Sequence, residues 1–220
     1  MNIAIALRRR QFQLSPLEQS LAQTAASRKV LKDQFNAQLA SHAVAYSPAQ
    51  TLTVAPDALK LMVRKYSEQL VYQPLEEMRF WFNYSSGIFL EPGYPPLYYS
   101  RKSSSQSVSP NKSAIASLGE GIAGLVAQRL YRARKLARPI HDYPDLVMVN
   151  GQTIYLIEAK ATTGSGADIQ QTIDDEVSRM SVYTAGCTNL APQNKIIGVL
   201  IGTALTNLNA YETYVTEVRV

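Results

Sequence analysis

A chain of 220 residues, 46% hydrophobic and 18% charged, falls in the ordinary globular class, with room for one large domain or for a core domain and a substantial extension. Its one cysteine, Cys187, excludes an internal disulfide, and no run reaches the ~18 consecutive apolar residues of a membrane span, so a protein of the reducing cytoplasm is expected. The net charge of +5 has the sign of a protein that approaches a polyanion.

Met1 to Arg10 carries an apolar run too short for a secretory core, and its arginines follow the run instead of preceding it. From Pro16 to about Leu39, the spacing of Leu17, Leu21, Ala25, Leu31, Phe35 and Leu39 predicts one or two helices, entered by Ser15 as cap, Pro16 at N1 and Glu18 in the first turn. Pro56-Asp57 opens a second helical pattern through Leu59, Met62, Val63, Tyr66 and Leu70. A third, past Pro74, carries Leu75, Met78, Phe80, Trp81 and Phe82.

Between Asn83 and Ser113 the composition shifts to Gly, Pro, Tyr and Ser, which predicts a connector over residues 84–112 with one strand near Ile88-Phe89-Leu90. The plain reading of this connector is a solvated linker. Its tip also mixes stacking faces with basic charge in Tyr98, Tyr99, Arg101 and Lys102, so Arg101 and Lys102 are candidate nucleic-acid contacts. A mainly helical N-terminal region over residues 1–112 and an α/β core over residues 113–220 are therefore expected.

Ser113 to about Leu136 has the pattern of one helix, with Ile115, Leu118, Ile122, Leu125, Val126 and Leu130 on an apolar face and Ser117, Gly121 and Gly124 small enough to let the backbone approach a sheet. Its end is basic, and Arg129, Arg132 and Arg138 are candidate phosphate contacts. Cations are also favourable near any helix C-terminus. His141 has no second histidine nearer than His42, which gives no basis for a zinc site.

Two strand-like runs, Asp145 to Val149 and Gln152 to Lys160, meet at Asn150-Gly151, the pair a type I′ hairpin turn favours. With that turn centre, Val149 faces Gln152, Val147 faces Ile154 and Asp145 faces Leu156. Because strand side chains alternate, Asp145, Glu158 and Lys160 share one face, with Asp145 and Glu158 a diagonal pair, while Leu146, Met148, Tyr155, Ile157 and Ala159 make an apolar opposite face. Two converging carboxylates at the end of an apolar hairpin repel and are costly to desolvate without a cation between them, and Mg²⁺ suits a site with few carboxylates.

Pro144-Asp145, followed after a hairpin by Glu158-Ala159-Lys160, resembles the signature of the PD-(D/E)xK phosphodiesterases, the restriction-endonuclease-like nucleases. The resemblance covers about residues 113–204. It implies a helix, a mixed sheet with a central hairpin, a second helix and a further strand, and a Mg²⁺-dependent endonuclease acting on double-stranded DNA, with Mn²⁺ able to substitute. It also implies that Asp145 and Glu158 hold the metal with the Ala159 carbonyl, that Glu120 adds a carboxylate from the preceding helix, and that Lys160 positions the attacking water. On the residues alone, the alternative for Glu120 is a solvated early-helix acid that interacts with the helix dipole.

After Lys160 a turn leads to a helix from Asp168 to about Ala185, on which Gln170, Gln171 and Arg179 could face substrate. Lys195 to Gly202 reads as a buried strand, and Tyr211 to Val218 alternates as an edge strand. Two other readings stay open, a non-catalytic nucleic-acid-binding module and an assembly protein on the same fold. The oligomeric state is open as well, a homodimer included.

Overall fold

Residues Ile3–Gln13 form a strand, β1, where the sequence reading assigned no element. Its signal is the alternation of Ile3, Ile5 and Leu7, all buried, with Ala4 and Ala6. Helices α1 (Pro16–Ala25) and α2 (Lys29–Ala40) follow, then strand β2 (Ser47–Val54) and helices α3 (Pro56–Tyr66) and α4 (Pro74–Ser85). The expected cap of α1 is present: Glu18 Oε2 accepts from the Ser15 backbone N–H at 2.7 Å, and Ser15 Oγ accepts from the Glu18 backbone N–H at 3.3 Å. The expected strand near Ile88 is β3 (Ile88–Glu91), which pairs antiparallel with β4 (Leu97–Ser100). This computed structural model describes residues 1–25, 28–40, 44–85, 88–91, 97–100, 109–139 and 143–220; Arg101, Lys102 and His141 lie outside them.

The second half supplies α5 (Lys112–Tyr131), β5 (Arg134–Ala137), β6 (Leu146–Asn150), β7 (Thr153–Thr162), α6 (Gly166–Leu190), β8 (Lys195–Leu205) and β9 (Ala210–Arg219). Seven strands join in one mixed sheet in the order β2-β1-β9-β8-β7-β6-β5. β1 runs parallel to β9 and β7 parallel to β8, while the other neighbours are antiparallel. The chain is thus of the α/β class. The sheet crosses the expected boundary at residue 112, because β1 and β2 belong to it. It also makes β9 an interior strand between β1 and β8 instead of the expected edge.

Helices cover both faces. Leu59, Val63 and Tyr66 of α3, Met78 of α4 and most of α5 pack with Ile3, Ile5, Leu146, Met148, Tyr155 and Ile157. Ala22 of α1, Phe35 of α2 and Ile169, Ile173, Val177 and Met180 of α6 pack on the other face with Leu156, Ile196 and Leu200. Residues Ala114–Ala127 of α5 are buried almost throughout, as befits a helix that is apolar or small on every side and lies between the sheet and α3.

Three expectations about α5 and the hairpin are corrected. The helix ends at Tyr131, not near Leu136: Arg132 takes a left-handed conformation with φ +51°, and Arg134 and Lys135 continue as edge strand β5 paired with Val149 and Met148. The close approach that its small residues allow is mainly to α3. A Cβ on Gly121 would lie 2.6 Å from Val63 Cγ2 and one on Gly124 would lie 2.2 Å from the Tyr66 ring, whereas only Gly119 meets the sheet, at Ala161. The hairpin turn is Gly151-Gln152, with Asn150 paired to Thr153 and Gly151 at φ +58°. Asn150 stays in the ladder while its Nδ2 donates to the Tyr131 carbonyl at 2.9 Å, satisfying a backbone oxygen at the end of α5.

Candidate active site

The turn shift moves the pairing by two residues along β7, so Val149 faces Ile154 and Val147 faces Leu156. A shift of two preserves every side chain's face. Asp145, immediately before β6, comes level with Glu158 instead of diagonal to it, since the last ladder pair is Leu146 with Ile157. Asp145 Oδ2 accepts the Ala159 backbone N–H at 2.7 Å, which takes up a strand N–H where β6 has ended and fixes the carboxylate beside β7. Glu158 is only 3% exposed, and its Oε1 accepts from Lys160 Nζ at 2.7 Å.

These three residues line a cleft of about 640 Å³, together with Ala159 and Thr162 of β7, Thr163 just after it, and Lys112, Ile115 and Glu120 of α5. Glu120 therefore reaches the cleft, as expected, but its carboxylate is already held there. Oε2 accepts from the Glu68 backbone N–H at 2.8 Å and from Arg138 Nη2 at 3.0 Å, and Oε1 accepts from Gln69 Nε2 at 3.4 Å. Arg138 also pairs with Glu68 and donates to the Tyr66 carbonyl. This guanidinium is thus committed within the protein, unlike Arg129 and Arg132, which are exposed at the far end of α5.

Burial dominates the electrostatics. It pushes Glu158 up to about 7, assisted by the Asp145 charge and opposed by Lys160. Glu120 is also pushed up to about 7, by burial first and then by Asp145. Asp145 itself is raised by burial, against the Ala159 N–H and the charges of Lys160 and Arg138. Burial draws the Lys160 ammonium down, but its hydrogen bond to Glu158 and the charges of Glu158, Glu176 and Asp145 outweigh it and raise the group.

Among the described residues, no three His, Cys, Asp or Glu side chains converge as one metal-binding group. The ligand pair that the geometry offers is Asp145 with Glu158. Glu158 Oε2 is buried with no hydrogen-bond partner among the described residues, an arrangement that is costly for a carboxylate unless a cation attends it. Mg²⁺, which retains waters and needs few protein oxygens, fits this pair, and Ala159 lines the same cleft.

Two residues that the sequence reading did not place at the site join it. Glu176 of α6 brings Oε1 within 3.6 Å of Lys160 Nζ, and its Oε2 is buried with no hydrogen-bond partner among the described residues. Tyr143 is buried close enough to Glu158 and Glu176 for their charges to add to the effect of burial, which pushes its hydroxyl well up. The signal for Glu176 was an acid three residues after Ile173, on the flank of the buried stripe of α6. Of the helix residues proposed to face substrate, Gln170 bonds the Gly166 carbonyl and Gln171 bonds Asp175, while Arg179 lies 4.0 Å over the Tyr143 ring. No protein-family model, no curated protein and no solved structure matches this chain.

Proposed function

We propose that this protein is a Mg²⁺-dependent nuclease with a restriction-endonuclease-like core, and that it hydrolyses phosphodiester bonds of double-stranded DNA. The observation that carries this reading is the convergence of Asp145, Glu158 and Lys160 in one cleft, with a buried oxygen of Glu158 that has no hydrogen-bond partner among the described residues. The succession of α5, the β6–β7 hairpin, α6 and β8 supports the finer fold assignment.

Asp145 and Glu158 would hold the metal, with the Ala159 carbonyl beside them. Once bound, the ion would supply Lewis-acid stabilisation of the charge on a scissile phosphate. The chain's own groups do the rest. Lys160, held against Glu158, presents an ammonium that can orient a water by hydrogen bonding and offset developing negative charge. Glu120, tied to Glu68, Gln69 and Arg138, holds the α3–α4 connection against α5 at the rim of the cleft.

The test is incubation of purified protein with circular DNA, linear DNA and RNA in Mg²⁺, Mn²⁺ or EDTA. Metal-dependent DNA cleavage is expected, abolished by Asp145→Asn and by Glu158→Gln together with metal binding. Lys160→Ala is expected to slow cleavage by on the order of 10²-fold or more while keeping much of the metal affinity, because an ammonium is not a ligand. Equal cleavage by Lys160→Ala would refute the mechanism. A wild type that binds DNA but fails to cleave it in any divalent metal would instead be a non-catalytic binding module.

A further inference from the structure

We propose that Glu176 is a positioning residue of this cleft, a second carboxylate that together with Glu158 clamps the Lys160 ammonium. The inference rests on the nuclease reading for its catalytic consequence, but the clamp itself stands on geometry. Lys160 Nζ lies 2.7 Å from Glu158 Oε1 and 3.6 Å from Glu176 Oε1. Glu158 sits two residues away on the same strand, so alone it restrains the ammonium from one element only. Glu176 brings a restraint from α6.

The fold sets the depth at which Glu176 arrives. In the β7–β8 ladder Lys160 is paired with Gly202, where a Cβ would lie 2.4 Å from Ile173 Cδ1. The missing side chain at Gly202 therefore lets Ile173 seat beside Lys160's own register position. Glu176, three residues on, shares that side of the helix. One further turn along, Arg179 Nη1 lies 3.9 Å from Glu176 Oε2 and its guanidinium covers the Tyr143 ring, two residues before Asp145. Glu176 is thus tied on one side to the lysine and on the other to the segment that carries the metal-site aspartate.

A lysine side chain has four rotatable bonds, and a single ion pair leaves much of that freedom intact. Two carboxylates on different elements remove it. A reaction that depends on where one ammonium points is sensitive to that loss of freedom, since small misplacements of a reacting group cost rate without costing binding.

Glu176→Gln and the shorter Glu176→Asp would be compared with wild type by NMR of the lysine side-chain ammonium groups, with the Lys160 signal assigned by its absence from Lys160→Ala. The Lys160 ammonium is expected to be ordered in wild type, to approach the mobility of the exposed Lys112 in Glu176→Gln, and to be intermediate in Glu176→Asp. In Mg²⁺, Glu176→Gln is expected to lower kcat about tenfold with KM for DNA and Ca²⁺ affinity unchanged, a split that general destabilisation does not produce. An ammonium as ordered in both variants as in wild type overturns the clamp. If the wild type cleaves no nucleic acid, the nuclease reading falls and the NMR comparison still decides the clamp.

Discussion

At the scale of single residues, the buried carboxyls make stability and metal binding depend on pH in a defined direction. Glu120 and Glu158 are both pushed from 4.5 to about 7, by burial and then by Asp145. A carboxyl whose folded value lies above its unfolded one favours folding while protonated. That contribution is fully present below 4.5 and is lost as pH rises through about 7. Metal-free protein is therefore expected to melt at a lower temperature at about pH 8 than at about pH 5.5, by on the order of 1 kcal/mol of stability, since Lys160 and solvent screen part of the cost. Glu158→Gln keeps the shape and drops the charge, and should flatten the decline. Excess Ca²⁺ should raise the wild-type melting temperature at pH 8 and do little below pH 6, where protons compete for the same oxygens. Thermal melts of both proteins in EDTA and in Ca²⁺ check this, and a wild-type profile flat across the range would count against it.

At the scale of elements, the contact between α5 and α3 is the one most exposed to a small change. A Cβ on Gly121 would lie 2.9 Å from the backbone Cα and N of Val63, atoms that cannot rotate away. Gly121→Ala is therefore expected to cost about 1–3 kcal/mol in urea denaturation, although alanine in an exposed helix gains about 1 kcal/mol over glycine. The need for small residues in α5 was legible in the sequence, but what they pack against was not, since periodicity marks a face without naming its partner. The same limit explains the rest. The shared face of Asp145, Glu158 and Lys160 follows from alternation alone and survived a turn displaced by one residue. The displacement did not follow, because it involves a bond from Asn150 to the end of α5. Likewise the run after Arg129 suits a helix end locally, and leaves the helix because β5 finds a ladder on β6. Glu176 is not legible in the sequence because its proposed role depends on the register of Lys160 with Gly202, a pairing across the sheet.

At the scale of the whole molecule, β1 and β2 complete a sheet whose other five strands come from residues beyond 112. A fragment of residues 113–220 would bare the β9 edge and the faces that Ile3, Ile5 and Leu7 cover, so it is expected to aggregate or stay unfolded when expressed alone; a cooperative melt of that fragment would show an independent domain. The distribution of charge along α5 bears on the proposed substrate. Lys112 lines the cleft, and Arg129 and Arg132 lie exposed at the opposite end, about 25–30 Å away at 1.5 Å per residue. Because α5 is itself buried between the sheet and α3, a duplex in contact with both ends would pass over the elements that cover the helix. In that arrangement Arg129→Ala and Arg132→Ala should each weaken binding alike on every sequence and reduce the slope of log affinity against log salt by about one charge. Arg138→Ala should behave differently. Its guanidinium serves Glu68, Glu120 and the Tyr66 carbonyl, so its loss should lower the melting temperature and leave the slope nearly unchanged. Gel shifts in Ca²⁺ over a series of salt concentrations separate the three variants; slopes unchanged for both Arg129→Ala and Arg132→Ala would return those residues to an ordinary solvated helix end.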